Sequence, residues 1–120
     1  MNQEQYLAMV KETYSPDCED HVLYNMVGVG GEAGEIVNMA QKAMRGDFEA
    51  KLLSRLNLSV ESLEFEQRKK LIEEMGGLYY FFTALCWKLD IGVEDVRRIN
   101  AEKLRSRLER GTIRGDGDER

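Results

Sequence analysis

One run of apolar residues in the second half of the chain has the spacing of a helix that packs in a bundle. Its successive members lie four, three, four, three and four positions apart: Leu71, Met75, Leu78, Phe82, Leu85 and Leu89. This spacing places the side chains along one side of an α-helix. It predicts a helix over about 60–90 whose apolar side faces neighbouring helices.

The rest of the chain also favours helices, because it has no sustained alternation of β-branched residues and no Asn-Gly hairpin turn. We expect helices over about 2–13, from 17–20 to about 45, and from 93 to about 109, with one or two short helices within 47–65. In the last long helix the residues expected to face inward are Val96, Ile99, Leu104 and Leu108. The sequence contains no repeat and no linker, so it predicts that residues 1–120 form a single all-α domain. It is an up-down bundle of about four main helices, with 110–120 as a glycine-rich charged tail.

Composition excludes several classes of protein. The two cysteines, Cys18 and Cys86, lie far apart, and His21 is the single histidine. A disulfide scaffold, a thiolate zinc site and a serine-histidine-acid triad are therefore disfavoured. The net charge of -5 disfavours non-specific nucleic-acid binding. No apolar run approaches the roughly 18 residues of a membrane span, and the first residues do not resemble a signal peptide, which predicts a cytoplasmic protein that does not enter a membrane.

The second helix contains four glycines within seven residues, at positions 28, 30, 31 and 34. Each interior glycine costs a helix about 1 kcal/mol relative to alanine. The cluster therefore indicates close backbone contact with another helix or a ligand, or else a loop between two shorter helices.

Glu32 and Glu35 lie three positions apart among these glycines, so both carboxylates emerge on one side of the helix. Two like charges held together repel, and the first basic residue further along that side is Lys42. A Mg²⁺ or Mn²⁺ ion would offset the repulsion, since both ions prefer oxygen ligands. The alternative is a pair of exposed glutamates.

A third carboxylate, that of Glu74, falls about 60° from the centre of the apolar stripe at 100° per residue, which predicts a half-buried position. By the same angle Glu73 points to solvent. The adjacent Gly76 and Gly77 are locally unfavourable in a helix, and no residue nearby explains them.

Basic residues gather on the last long helix and in the tail, together with the neutral amide of Asn100: Lys103, Arg105 and Arg107, followed by Arg110, Arg114 and Arg120. Such a set suits phosphate oxygens. The alternative is a solvated helix end, where basic residues also interact favourably with the helix dipole.

Four segments resemble, in order, the MazG-like all-α nucleoside triphosphate pyrophosphohydrolases. Residues 31–35, GEAGE, resemble the first ExxE element, and 73–80, EEMGGLYY, resemble the second element, which usually reads EELGD. Residues 99–107 resemble the NxxKLxxR helix, and the tail from 110 is similar to the RG…GSGDNR ending of small phage and bacterial members. Together these segments cover most of residues 25–120.

The resemblance implies Mg²⁺-dependent hydrolysis of a nucleoside or deoxynucleoside triphosphate to the monophosphate and pyrophosphate. Glu32, Glu35 and Glu74 then correspond to metal-binding and catalytic residues. The residues that correspond to substrate contacts are Asn100, Lys103, Arg107, Lys42, Arg110 and Arg120. The family further implies a homodimer or homotetramer in the cytoplasm of a bacterial cell or a phage-infected host.

The chain departs from the family pattern at Gly77, where the second element has its aspartate, and in the longer segment between the two acidic elements. Water, Asp47 or Glu73 would have to replace the missing ligand. A nucleotide-binding module without turnover is therefore the second hypothesis. A helical interaction protein with only surface charges is the third.

Overall fold

A computed structural model describes residues 1–45 and 65–117 of the chain. Four α-helices make up all the regular structure in these ranges: α1 (Gln3–Thr13), α2 (His21–Arg45), α3 (Phe65–Lys88) and α4 (Val93–Glu109). Within these ranges the prediction of an all-α fold is confirmed, and the helix bounds agree with those expected within a few residues, apart from the expected start of α3 at about 60, which lies outside the described residues. The short helices expected within 47–65, and the candidate ligand Asp47, lie outside the described residues.

Polar side chains begin the first two helices. The Asn2 carboxamide oxygen accepts a hydrogen bond from the backbone N–H of Gln5 at 2.8 Å, and the Gln5 side chain accepts one from the Asn2 N–H at 2.9 Å. Before α2, an Asp20 carboxylate oxygen accepts a hydrogen bond from the Leu23 N–H at 2.9 Å. These bonds satisfy N–H groups that have no partner within the helix itself.

The second helix runs without a break for 25 residues through all four glycines. The alternative of two short helices joined by a glycine loop is therefore wrong. Since glycine disfavours the helix locally, packing against other elements has to stabilise this segment.

The chain divides into two compact units, Met1–Leu85 and Cys86–Arg120. In the first unit, α1 contacts α3 through the hydroxyls of Thr13 and Tyr80, 3.2 Å apart, and the Tyr79 hydroxyl donates a hydrogen bond to Gln3. The most buried residues of this unit are Val10, Asn25, Met39, Ala43, Thr83 and Ala84. The single-domain organisation stays a prediction.

The second unit contains two helix ends of the same kind. At the end of α3, the Ile91 N–H donates to Cys86 O at 2.9 Å, and Asp90 has a positive φ of 55°. At the end of α4, the Thr112 N–H donates to Arg107 O at 2.8 Å, and Gly111 has a φ of 69°. Both are Schellman turns, which need a left-handed residue directly after the cap. The second turn folds the start of the tail back along α4.

One side of α2, which we call the outer stripe, is exposed over most of the helix. It consists of Leu23, Val27, Gly30, Gly34, Val37 and Met44. Val27 and Val37 are each 67% exposed, and within 1–45 and 65–117 nothing lies within 4 Å of a Cβ built on Gly30 or Gly34. An apolar helix side of this length without a neighbour is typical of a surface that contacts another element or another chain.

Two expectations about inward-facing residues need correction. In α4, Ile99, Leu104 and Leu108 are exposed, whereas Arg107 is only 5% exposed. In the apolar stripe of α3, Met75 is 53% exposed and Leu89, directly after the helix, is 43% exposed, whereas the fully buried positions are Thr83 and Ala84. Helical spacing identifies the apolar side of a helix, but the neighbouring elements decide which side is covered. None of the helices in the described ranges is long and apolar enough to cross a membrane.

Candidate functional site

Helices α2 and α3 approach each other closely at two glycines, one on each helix. A Cβ built on Gly28 of α2 would lie 2.5 Å from Cγ of Phe81. A Cβ built on Gly77 of α3 would lie 2.5 Å from Oε2 of Glu32. Because no real side chain tolerates such distances, the missing Cβ atoms allow the Phe81 ring and the Glu32 carboxylate to lie against the facing backbone.

The two contacts define the register of the helix pair. Four residues forward on α2, from Gly28 to Glu32, correspond to four residues backward on α3, from Phe81 to Gly77, so the helices are antiparallel. Three residues further on each helix lie Glu35 and Glu74. The packing therefore places these two acidic residues at the same level, about one helical turn from the contact between Glu32 and Gly77.

The three acidic residues differ in burial. Glu32 and Glu74 are half-buried and Glu35 is exposed. None of the three forms an ion pair with any residue in the described ranges. Their neighbour Glu73 is exposed and lies 3.9 Å from Lys69, so the predicted difference between positions 73 and 74 is confirmed.

The carboxylates fit a hard cation by their chemistry, since oxygen ligands without a basic partner suit Mg²⁺. The side chains as placed within 1–45 and 65–117 do not include three or more acidic, histidine or cysteine residues grouped to hold a metal ion. Mg²⁺ sites commonly use one or two carboxylates, with water and phosphate oxygens as the remaining ligands. The residues therefore fit an ion that is held together with a phosphate.

A small aromatic cavity of about 160 Å³ lies beside the Phe81 end of the helix pair. Tyr24 packs edge-on against Phe81, with ring centroids 5.9 Å apart, and Tyr14 packs edge-on against Tyr24 at 6.4 Å. The residues that line the cavity are Thr13, Tyr14, Ser15, Pro16, Tyr24, Tyr80 and Phe81. The cavity therefore offers mainly aromatic surface to a ligand.

Beneath the cavity lies a fully buried amide. Asn25 has no exposed surface, and its carboxamide oxygen accepts a hydrogen bond from the Tyr14 hydroxyl at 3.0 Å. Its Nδ2 atom has no hydrogen-bond partner in the described part of the chain. This polar pair holds Tyr14 in position beside α2.

Comparison with known proteins gives a relative in a bacteriophage. The chain is 33% identical over 106 residues to Gene 37 protein of Mycobacterium phage L5, an alignment that spans 87% of this chain and 82% of the relative. The chain belongs to the family of that phage protein. The relative's name states a gene number and no activity. No family model matches the chain, and no solved structure matches it.

The predicted substrate-binding residues of the chain occupy different environments. Lys42 is half-buried in the last turn of α2. On α4, Asn100 and Lys103 are exposed and Arg107 is buried, while Arg110 donates a hydrogen bond from Nε to the Ser106 hydroxyl at 3.1 Å. Arg120 lies outside the described residues. The burial of Arg107 was not expected from a basic helix end.

Sequence reasoning missed most of the aromatic cavity. Tyr14, Tyr80 and Phe81 carried a usable signal, because an aromatic residue before a Ser-Pro turn and a run of four aromatic residues at 79–82 are unusual in so short a chain. The contact between Glu32 and Gly77 carried none, since it joins residues 45 positions apart.

Proposed function

We propose that the chain is a Mg²⁺-dependent nucleoside triphosphate pyrophosphohydrolase with a MazG-like all-α fold. One observation carries the proposal above all others. The antiparallel packing of α2 on α3 sets the Glu32 carboxylate against Gly77 and brings Glu35 level with Glu74. The acidic elements that resemble the family's two motifs therefore face each other across one helix pair.

In the proposed reaction, a water oxygen bonds to the α-phosphorus as the bond from that phosphorus to the bridging oxygen breaks. The products are a nucleoside monophosphate and pyrophosphate, and the water proton passes to solvent or to a carboxylate. Glu32, Glu35 and Glu74 would hold Mg²⁺, which supplies positive charge to offset the charge on the phosphates. Without that charge the carboxylates would repel a triphosphate.

The aromatic cavity supports a nucleoside as the organic part of the substrate. Phe81 lines the cavity and also contacts α2 at Gly28. It lies four residues from Gly77, a distance of about 6 Å along the helix axis. A base held by Tyr24 and Phe81 would therefore leave its 5′ phosphates within reach of the carboxylate cluster.

Basic residues complete the proposal. Lys42 lies two turns beyond Glu35 on the same side of α2 and would contact a phosphate of the substrate. Asn100, Lys103, Arg107, Arg110 and Arg120 remain proposed substrate contacts through the resemblance alone. We further propose that the chain acts in the cytoplasm. We also propose that it is a homodimer or homotetramer, because the outer stripe of α2 offers an apolar surface for a second copy.

The test is an end-point assay with each common nucleoside and deoxynucleoside triphosphate, in Mg²⁺ and then in Mn²⁺, with products separated by anion exchange. Glu35→Gln and Glu74→Gln are each expected to lower the rate by about a hundredfold or more, the scale of a lost charge in the reacting site. Glu73→Gln is the matched control, because it removes a neighbouring exposed carboxylate that lies beside Lys69. Equal rates for Glu74→Gln and Glu73→Gln would contradict the proposed site.

The absence of a ligand at Gly77 favours one alternative, a module that binds nucleotide without cleaving it. Calorimetry distinguishes the two functions. Nucleotide affinity without monophosphate or pyrophosphate as products would support the binding module, and binding of neither nucleotide nor Mg²⁺ would leave a helical interaction protein.

A further inference from the structure

Gly77 stands where the resemblance places an aspartate, and the structure fills the space beside it with another carboxylate. A Cβ at position 77 would lie 2.5 Å from Oε2, 2.7 Å from Cδ and 3.1 Å from Oε1 of Glu32. We propose that Gly77 is a positioning residue for Glu32: its bare backbone lets the Glu32 carboxylate lie against α3, where a side chain at 77 would otherwise point.

Gly76, the neighbouring glycine, shows that the close approach of another side chain is specific to position 77. No atom of the described residues lies within 4 Å of a Cβ built on Gly76, although both glycines belong to the same turn of α3. Both carry the same penalty as glycine inside a helix. Only at Gly77 does the missing side chain make room for another residue.

The contact between Glu32 and Gly77 also changes how we interpret the glycine at position 77, where the family pattern has an aspartate. All three terminal atoms of Glu32 lie within 3.1 Å of the Cβ that any other residue would bring to position 77. A residue with a side chain there must move the Glu32 carboxylate away from α3. In the absence of a cation, an aspartate at 77 would also add a second negative charge beside the displaced carboxylate, since like charges at contact distance repel. Gly77→Asp therefore does not restore a missing ligand but displaces the one in place.

The first test is thermal stability, because it does not depend on any activity. Gly76→Ala is expected to raise Tm by about 4 °C, since alanine is the better helix former. Gly77→Ala is expected to raise Tm by less than Gly76→Ala, because the flexible end of the Glu32 side chain has to rotate away from the new methyl group. In a Glu32→Ala background the overlap is gone, and Gly77→Ala is then expected to gain about as much as Gly76→Ala.

The second test is the affinity for Mn²⁺ alone, measured by calorimetry on the full chain. Gly77→Ala is expected to weaken binding about 10–100-fold, the usual effect of disturbing a residue that orients a metal ligand, while Gly76→Ala leaves it unchanged. Glu32→Asp shortens the side chain at position 32 by one methylene. In that variant, adding Gly77→Ala is therefore expected to weaken Mn²⁺ binding less than it does in the chain with Glu32. Gly77→Asp is expected to bind Mn²⁺ no more tightly than the unchanged chain.

Two results would overturn the positioning role. The first is that Gly77→Ala changes Tm by as much as Gly76→Ala does, and that this change is the same in the Glu32→Ala background. The other is tighter Mn²⁺ binding by Gly77→Asp. The effect on metal affinity depends on the proposed function, whereas the Tm comparison does not. If the chain binds no Mn²⁺ and cleaves no triphosphate, the proposed function is refuted. The dependence of the Gly77→Ala change in Tm on Glu32 would still show whether Glu32 and Gly77 are in contact.

Discussion

The two sides of α2 use the same kind of residue for different purposes. On the side that faces α3, Gly28 allows the Phe81 ring to approach the backbone, and Glu32 reaches across to Gly77. On the outer stripe, Gly30 and Gly34 have open space above them. The glycine-rich helix α2 therefore has two different sides. One side contacts α3, and the other, the outer stripe, has no neighbour in the described structure.

The largest difference is expected between alanines at Gly28 and at Gly30. A methyl group at Gly28 would overlap the Phe81 ring, and such overpacking costs about 1–3 kcal/mol. A methyl group at Gly30 meets nothing and should stabilise the helix by about 1 kcal/mol. Urea unfolding of the two variants measures the difference.

Similar unfolding free energies for Gly28→Ala and Gly30→Ala would show that the two sides of α2 are not distinct. Phe81→Leu provides the control. If the cost of Gly28→Ala comes from the ring, it should shrink when the ring is replaced by a smaller side chain.

The hydrogen bond from Tyr14 to Asn25 is expected to contribute next. Tyr14→Phe leaves the buried Asn25 oxygen without its donor, which costs about 1–3 kcal/mol. Tyr24→Phe is the matched control, because the Tyr24 hydroxyl has no hydrogen bond in the described part of the chain. A loss of stability in Tyr24→Phe as large as in Tyr14→Phe would assign the effect to ring packing instead.

The same tyrosine predicts a pH dependence. Burial raises the pKa of Tyr14 above its ordinary value of 10.0. A raised pKa in the folded chain favours the protonated form, so this contribution to stability is complete below about pH 10 and is lost as the pH rises through the folded pKa. Urea midpoints between pH 8 and 11 should fall at the alkaline end, and the fall should be smaller in Tyr14→Phe.

The smallest effect on stability is expected on the outer stripe. Val37 is 67% exposed, so Val37→Glu should change the free energy of unfolding of the single chain by no more than about 0.5 kcal/mol. If a second copy covers the stripe, the same variant should shift the chain toward monomer in sedimentation, because it buries a charge in an apolar contact. An unchanged oligomeric state would show that copies of the chain do not associate through this stripe.

Much of the fold was predictable from local signals. Apolar spacing gave the four long helices, and the Ser-Pro turn and the glycines at 92 and 111 mark their ends. The same spacing correctly separated Glu74 from Glu73, because an angle around one helix depends only on the sequence of that helix. It failed on α4, where the predicted inward residues Ile99 and Leu108 are exposed.

The candidate site was predictable in its residue types and not in its contacts. Glu32 and Glu35 stood out because two like charges on one side of a helix repel, and Glu74 stood out because its angle places it at the edge of the apolar stripe. The room that Gly77 leaves for Glu32 could not be inferred, since it needs the register of two helices separated by a segment of 19 residues outside the described structure. The buried state of Arg107 was missed for the same kind of reason.

The sequence by itself determined that this chain is helical, where its long helices begin and end, and which acidic residues lie beside the apolar side of their helices. These properties depend on interactions within a few residues of each other. Only the tertiary structure decided which glycines make contacts, that Glu32 faces Gly77, and that an aromatic cavity lies beside Phe81. Burial and close approach depend on how helices pack, and many registers are compatible with one pattern of apolar residues.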